Sequence, residues 1–202
     1  DLSERFTYSL LGHFYRRGLL HEMPTLIPGR LGSSIAGMLS SIFRRSQAWR
    51  LVGLEKLESI RKCTKLYPSY GLVFFGDNGQ GDLLAAELAL TESQPLIQLA
   101  FINEVRPRRR SLSIFSNLSV EEQEMRWKEL GIIWMKTPVE GAVEAAQRGV
   151  LSAESLARVC ESAANDIEAL MLRHPEHASW PERLDELNEA LQLAQRIRSE
   201  IQ

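Results

Sequence analysis

Leu72-Val73-Phe74-Phe75-Gly76-Asp77-Asn78-Gly79-Gln80-Gly81-Asp82 is the stretch on which the reading of this chain turns. It opens with a continuous apolar run, with Tyr70-Gly71 before it and Gly76-Asp77 after it. A run apolar at every position suits a central strand, buried on both faces of a parallel sheet. Asp82 to Leu90 reads as the helix that follows. Further on, Ile97 to Ile102 reads as a second strand and Ile132-Ile133-Trp134-Met135 as a third. Between them, Ser119-Val120-Glu121-Glu122 is a capping box that opens a helix to Leu130. Strands that alternate with helices predict an α/β sheet with right-handed crossovers.

Upstream, Gly53 to Leu66 predicts a helix with Leu54, Leu57 and Ile60 on one side, stopped before Pro68. Ser3 to Leu20 predicts another, because Phe6, Leu10, Leu11, Phe14 and Tyr15 recur at helical spacing. Thr25-Leu26-Ile27 reads as a short strand entering the Pro28-Gly29 turn, and Leu31 to Phe43 as a loop followed by a helix. After about residue 138 the pattern becomes wholly helical. Pro138 to Arg148 is one helix, Ser152 caps a second, and Pro181 opens an amphipathic third. Two regions are expected: an α/β domain over 1–137, and a helical extension over 138–202 that packs on the sheet or on a partner.

The composition fits a folded protein. The 202 residues are 44% hydrophobic and 25% charged, with a formal net charge of -2. That balance excludes a globally basic nucleic-acid binder and leaves room for local basic patches. Cys63 and Cys160 sit in helix-like stretches without metal-ligand spacing and read as reduced, buried thiols. No apolar run approaches the ~20 residues of a membrane-spanning helix. Asp1-Leu2-Ser3-Glu4-Arg5 lacks the basic-then-apolar order of a signal peptide. A soluble or peripheral protein is expected, organellar if a targeting segment has been removed.

Chemistry is expected at the glycine-rich loop. Ligands of open α/β sheets bind beyond the carboxyl ends of the strands. Asp77 and Asp82 on such a loop offer hard oxygen ligands for a divalent cation, and the glycines permit close backbone approach. Other motifs fail on spacing. The glycine order is not that of a dinucleotide fingerprint, no Gly-Lys-Ser/Thr follows, and Gly79 and Gly81 stand where an EF-hand needs oxygen-bearing side chains. A glycine-rich turn with solvated aspartates is the competing reading.

Phe74 to Asp82 resembles the fourth motif of haloacid-dehalogenase-like phosphatases, a strand followed by G-D-x-x-x-x-D. The wider pattern is closer still to the phosphatidate-phosphatase catalytic-domain family, whose sequences carry an HKLE-x-I helix, an FP turn and a GDSGQ-x-D loop. Here Glu55-Lys56-Leu57-Glu58-Ser59-Ile60, Tyr67-Pro68 and the Asp77 loop are similar to these. Leu99 to Val105 is similar to the family's next strand with its R-D-V end, and Thr137 to Leu156 resembles the tail of some protist and algal-type relatives. The likeness runs over roughly residues 1 to 160.

The resemblance implies a haloacid-dehalogenase-like sheet with helices on both faces and a helical C-terminal tail. Asp77 and Asp82 would form the acidic pair on the magnesium side. Lys56, placed near a helix N-terminus, would neutralise phosphate and nucleophile, with a solvated helix lysine as the competing reading. Leu2-Ser3-Glu4-Arg5 resembles the family's LSARP, which would give Ser3 a hydrogen bond to a phosphoryl oxygen; Ser3 reads equally as a helix N-cap. The superfamily's D-x-D motif, source of the nucleophile, occurs nowhere in the chain. A phosphatase-like protein without catalysis of its own is therefore expected, an accessory subunit with protein partners. The alternative is a Mg²⁺-dependent phosphomonoesterase, acting on a phosphorylated small molecule or lipid, whose nucleophile and first strand lie upstream of Asp1. Arg106, Arg108, Arg109 and Arg110 form a basic cluster that could take an anion or remain a solvated loop. A nucleic-acid partner is disfavoured, since no aromatic platform is interleaved with it.

Overall fold

Val73–Asp77 (β1), Leu99–Asn103 (β2) and Ile132–Met135 (β3) form a parallel sheet in the order β1-β2-β3. The computed structural model describes residues 2–18, 23–24 and 45–201. Its helices are α1 (Leu2–Arg16), α2 (Arg45–Leu66), α3 (Asp82–Thr91), α4 (Val120–Leu130), α5 (Pro138–Gln147), α6 (Ala153–Met171) and α7 (Trp180–Ile201). The expected strand at Thr25–Ile27 and the expected loop and helix over Leu31–Phe43 lie outside the described residues. Among the described residues no helix is long and apolar enough to cross a membrane.

Alternation along the strands gives the sheet two apolar faces. Ala100, Ile102 and Ile132 join Leu57 and Ile60 of α2, Leu83 and Ala86 of α3 and Trp127 of α4. Phe101 and Ile133 point the other way and pack with Ala145 of α5. Helices therefore cover both faces, and α3 and α4 are the connections that bring each strand back parallel to the last. The expected capping box is present: Ser119 accepts from the Glu122 backbone while Glu122 reaches back to Ser119.

The C-terminal helices have a core of their own. Val139 and Ala142 of α5, Leu156 and Cys160 of α6, and Leu187 and Ala190 of α7 are buried together. Burial pushes the Cys160 thiol up, as expected of an inert core cysteine. Helix α5 links the two regions, with Ala145 on the sheet and Ala146 in the helical cluster.

Two elements differ from expectation. Helix α2 begins at Arg45, not Gly53, so Lys56 lies in its interior and not near its N-terminus. Gly53 is retained inside the helix because another backbone approaches it, as described below. Strand β1 is the edge of the described sheet, not a central strand. Phe75 is stacked flat on Phe101 at 4.8 Å yet is 61% exposed, because no element among those described covers it. An apolar groove of about 250 Å³, lined by Lys56, Ile60, Cys63, Leu72, Phe74 and Ile97, adjoins the same strand.

Candidate functional site

Strand β1 ends at Asp77, in register with Asn103 of β2, so both chains leave the sheet side by side at its carboxyl edge. Between Asp77 and α3 the backbone makes a tight loop whose last residue, Gly81, has φ +86°. Only glycine takes that conformation without strain. A Cβ on Gly81 would also strike the carbonyl oxygen of Trp49, and a Cβ on Gly53 would lie 2.8 Å from the Gly81 oxygen. Two bare backbones thus allow α2 to lie against the loop. That approach brings Lys56 over the first turn of α3.

Gly76 completes the arrangement from the strand side. A Cβ there would stand 2.6 Å from the Asp82 Cβ, so the missing side chain is the space Asp82 occupies. The Asp82 carboxylate folds back beneath the strand end. Its Oδ2 accepts from the Asp77 backbone N–H at 3.1 Å, and its Oδ1 pairs with Lys56 Nζ. The Asp82 side chain is 10% exposed and that of Lys56 37%, so the pair lies at the boundary of core and solvent. The first turn of a helix also favours a carboxylate electrostatically. Asp77, half-buried, accepts the Gly79 N–H on its Oδ1 at 2.5 Å, an Asx-turn that orients its carboxylate.

Asn78, between these aspartates, is 1% exposed and saturated with hydrogen bonds. Its Nδ2 donates to the Arg106 carbonyl at 2.7 Å and the Ser111 hydroxyl at 3.0 Å. Its Oδ1 accepts from the backbone N–H groups of Val105 at 3.0 Å and Arg106 at 3.2 Å. One side chain therefore closes both ends of the turn that follows β2. Sequence reading missed this clamp, because its partners lie up to 33 residues away and no local signal marks it.

The arginine cluster expected as one anion site divides. Arg106 donates Nε to the Asn78 carbonyl at 2.6 Å. Arg108 pairs with Glu104 and Glu124 and lies 4.8 Å over the Trp134 ring, so it is committed to holding the fold. Arg109 and Arg110 are exposed on a short 3-10 turn. Ser3 falls in the first turn of α1, and its side chain lies outside the described residues. The structure thus joins Lys56, Asp77 and Asp82, and sets the arginine turn beside them.

Glu87 was also missed, although a lone carboxylate in the apolar run Leu83 to Leu90 was a visible signal. It is fully buried on α3 and accepts from the Ser113 hydroxyl, from Ile114 N–H at 2.7 Å and from Trp127 Nε1 at 2.6 Å. Burial pushes its carboxyl up, against the pull of those donors. Glu87 ties α3 to the 113–115 segment and α4 behind the site.

As a cation site the loop offers the carboxylates of Asp77 and Asp82. No group of three or more His, Cys, Asp or Glu residues is arranged to hold a metal among the described residues. Compared with models of known protein families, with curated proteins and with solved structures, the chain finds no match.

Proposed function

We propose that this chain is a haloacid-dehalogenase-like module that recognises a phosphorylated ligand at Lys56, Asp77 and Asp82 and works as an accessory subunit of a larger assembly. The carrying observation is the Lys56–Asp82 pair at the carboxyl end of a parallel strand. Its place suits the reading, because ligands of open α/β sheets bind at that edge. Magnesium characteristically uses one or two carboxylates and completes its shell with waters and phosphate oxygens. Asp77 and Asp82 are the residues that would hold it, with Asp82 Oδ1 also paired to Lys56 and its Oδ2 accepting the Asp77 N–H. When bound, it supplies charge to offset a phosphate. Lys56 offers a point charge to the same phosphate and keeps Asp82 oriented. The Asp77 N–H fixes the other oxygen of Asp82.

The accessory role is supported by the exposed Phe75 and the groove beside β1, which suit a partner or a further strand. A second reading, a Mg²⁺-dependent phosphomonoesterase, is favoured by the same edge. A strand added beside β1 would place a nucleophile next to Asp77.

Phosphate release from a generic phosphomonoester with Mg²⁺, measured on the chain together with whatever sequence precedes Asp1, separates the two. The accessory reading expects none from the chain, and equal inertness for Asp77→Asn. Mg²⁺-dependent release that Asp77→Asn abolishes would replace it with the enzyme reading.

A further inference from the structure

The carboxyl edge of the sheet carries more positive charge than the site uses. Lys56 is offset by Asp82, and Arg108 by Glu104 and Glu124. Arg106 spends its Nε on a neutral carbonyl. Neither Arg109 nor Arg110 forms an ion pair with an acidic side chain among the described residues. Their turn is preorganised: Arg110 N–H donates to the Pro107 carbonyl and Ser111 N–H to the Arg108 carbonyl, each at 2.9 Å. Asn78, the residue after Asp77, bonds both the Arg106 and the Ser111 ends of that turn. Two arginines without an acidic partner thus sit on a turn that Asn78 ties to the loop carrying Asp77.

We propose that Arg109 and Arg110 form a second oxyanion position beside Asp77, so that the chain prefers a ligand with two phosphoryl groups over a ligand with one; this rests on the phosphate-binding reading of Lys56 and Asp82. Guanidinium groups bind phosphate oxygens in pairs, a geometry a single ammonium cannot copy. The surroundings favour a small soluble ligand. Trp134, the aromatic ring beside the turn, is already covered by Arg108, which leaves no stacking platform there for a base. Val105 is the exposed apolar side chain next to the turn, too little for insertion into a lipid surface.

The test is calorimetric titration of the full chain with inorganic pyrophosphate and with orthophosphate at low salt, both in the presence of Mg²⁺. Pyrophosphate is expected to bind about tenfold tighter, and Arg109→Ala/Arg110→Ala to remove that advantage while orthophosphate affinity changes by less than about twofold. Arg109→Lys/Arg110→Lys keeps part of the advantage. Because both side chains are exposed, thermal midpoints stay near wild type; Arg109→Gln/Arg110→Gln is the second variant if the alanines unfold. Equal affinity for the two ligands, or an advantage that survives the alanine pair, overturns the proposal. Arginine-dependent binding to anionic lipid vesicles without a pyrophosphate advantage also overturns it, in favour of a membrane contact. Lys56→Ala separates the two ideas. If it leaves both affinities unchanged while the arginine pair still matters, the arginine position stands and the Lys56 reading fails.

Discussion

Lys56 and Asp82, 26 residues apart, form an ion pair that joins the interior of α2 to the first turn of α3. The pair exists because three glycines, Gly53, Gly76 and Gly81, remove the side chains that would keep these segments apart. With Lys56 more than a third exposed, the pair's Coulomb energy is largely screened. Its value is orientation: it sets the direction of a carboxylate at the carboxyl edge of the sheet.

Lys56→Ala should therefore cost little stability, about 1 kcal/mol or less in urea unfolding. Asp82→Ala should cost more, about 1–2 kcal/mol, because the Asp77 N–H also loses its acceptor. An equal or reversed ranking would contradict the half-buried placement of the pair.

Gly76→Ala should be more harmful than its small added volume suggests. The new methyl group falls on the Asp82 side chain and must expel it from beneath the strand end. A loss of about 1–3 kcal/mol is expected, as for overpacking in a filled core. Gly18→Ala is a useful comparison: unlike Gly76 it has a positive φ, +71°, but a Cβ there meets nothing within 4 Å. Only the cost of the left-handed backbone, about 1 kcal/mol, should appear there.

Asn78→Ala should be the most destabilising change at the site, about 3 kcal/mol, since it leaves the part-buried Arg106 amide and carbonyl and the Ser111 hydroxyl without their partner. Hydrogen exchange at the Val105 and Arg106 amides should rise well before global unfolding. Unchanged protection there would show that Asn78 does not hold the turn.

Glu87 should make stability depend on pH. Its folded-state carboxyl is raised above the ordinary glutamate value, by burial first of all. The folded protein then keeps a proton that the unfolded chain has released. This contribution is full below about 4.5 and is lost as pH rises through the raised folded value. Glu122 acts in the opposite sense, because hydrogen bonds from Ser119 lower its carboxyl. The difference between wild type and Glu87→Gln isolates Glu87: between pH 4 and 7 the wild type should lose more stability than the variant. Parallel curves would mean the carboxyl is not raised.

The strands were legible because each is a short apolar run with turn residues at its ends, and β3 falls on Ile132–Met135 as expected. The Ser119 cap was legible for the same local reason. The edge position of β1 was not, since a fully apolar run looks the same whether or not a neighbour lies beside it, and Phe75 is exposed only for want of that neighbour. Gly53 misled: glycine read as the start of a helix, whereas its role is close approach to Gly81, a contact between segments distant in sequence. Asp77 and Asp82 were visible by spacing, but the path of Lys56 to Asp82 depends on those same glycine contacts. The arginines read as one basic run and divide only when their acidic partners, Glu104 and Glu124, come into place.

The most direct test of the central claim is an NMR titration of the backbone amides with orthophosphate in the presence of Mg²⁺. Saturable shifts are predicted at Asp77, Gly79 and Asp82, requiring both additions, weakened in Lys56→Ala and absent in Asp82→Asn. If these amides do not move at millimolar phosphate and Mg²⁺, or move equally in both variants, Lys56, Asp77 and Asp82 are not a phosphate site.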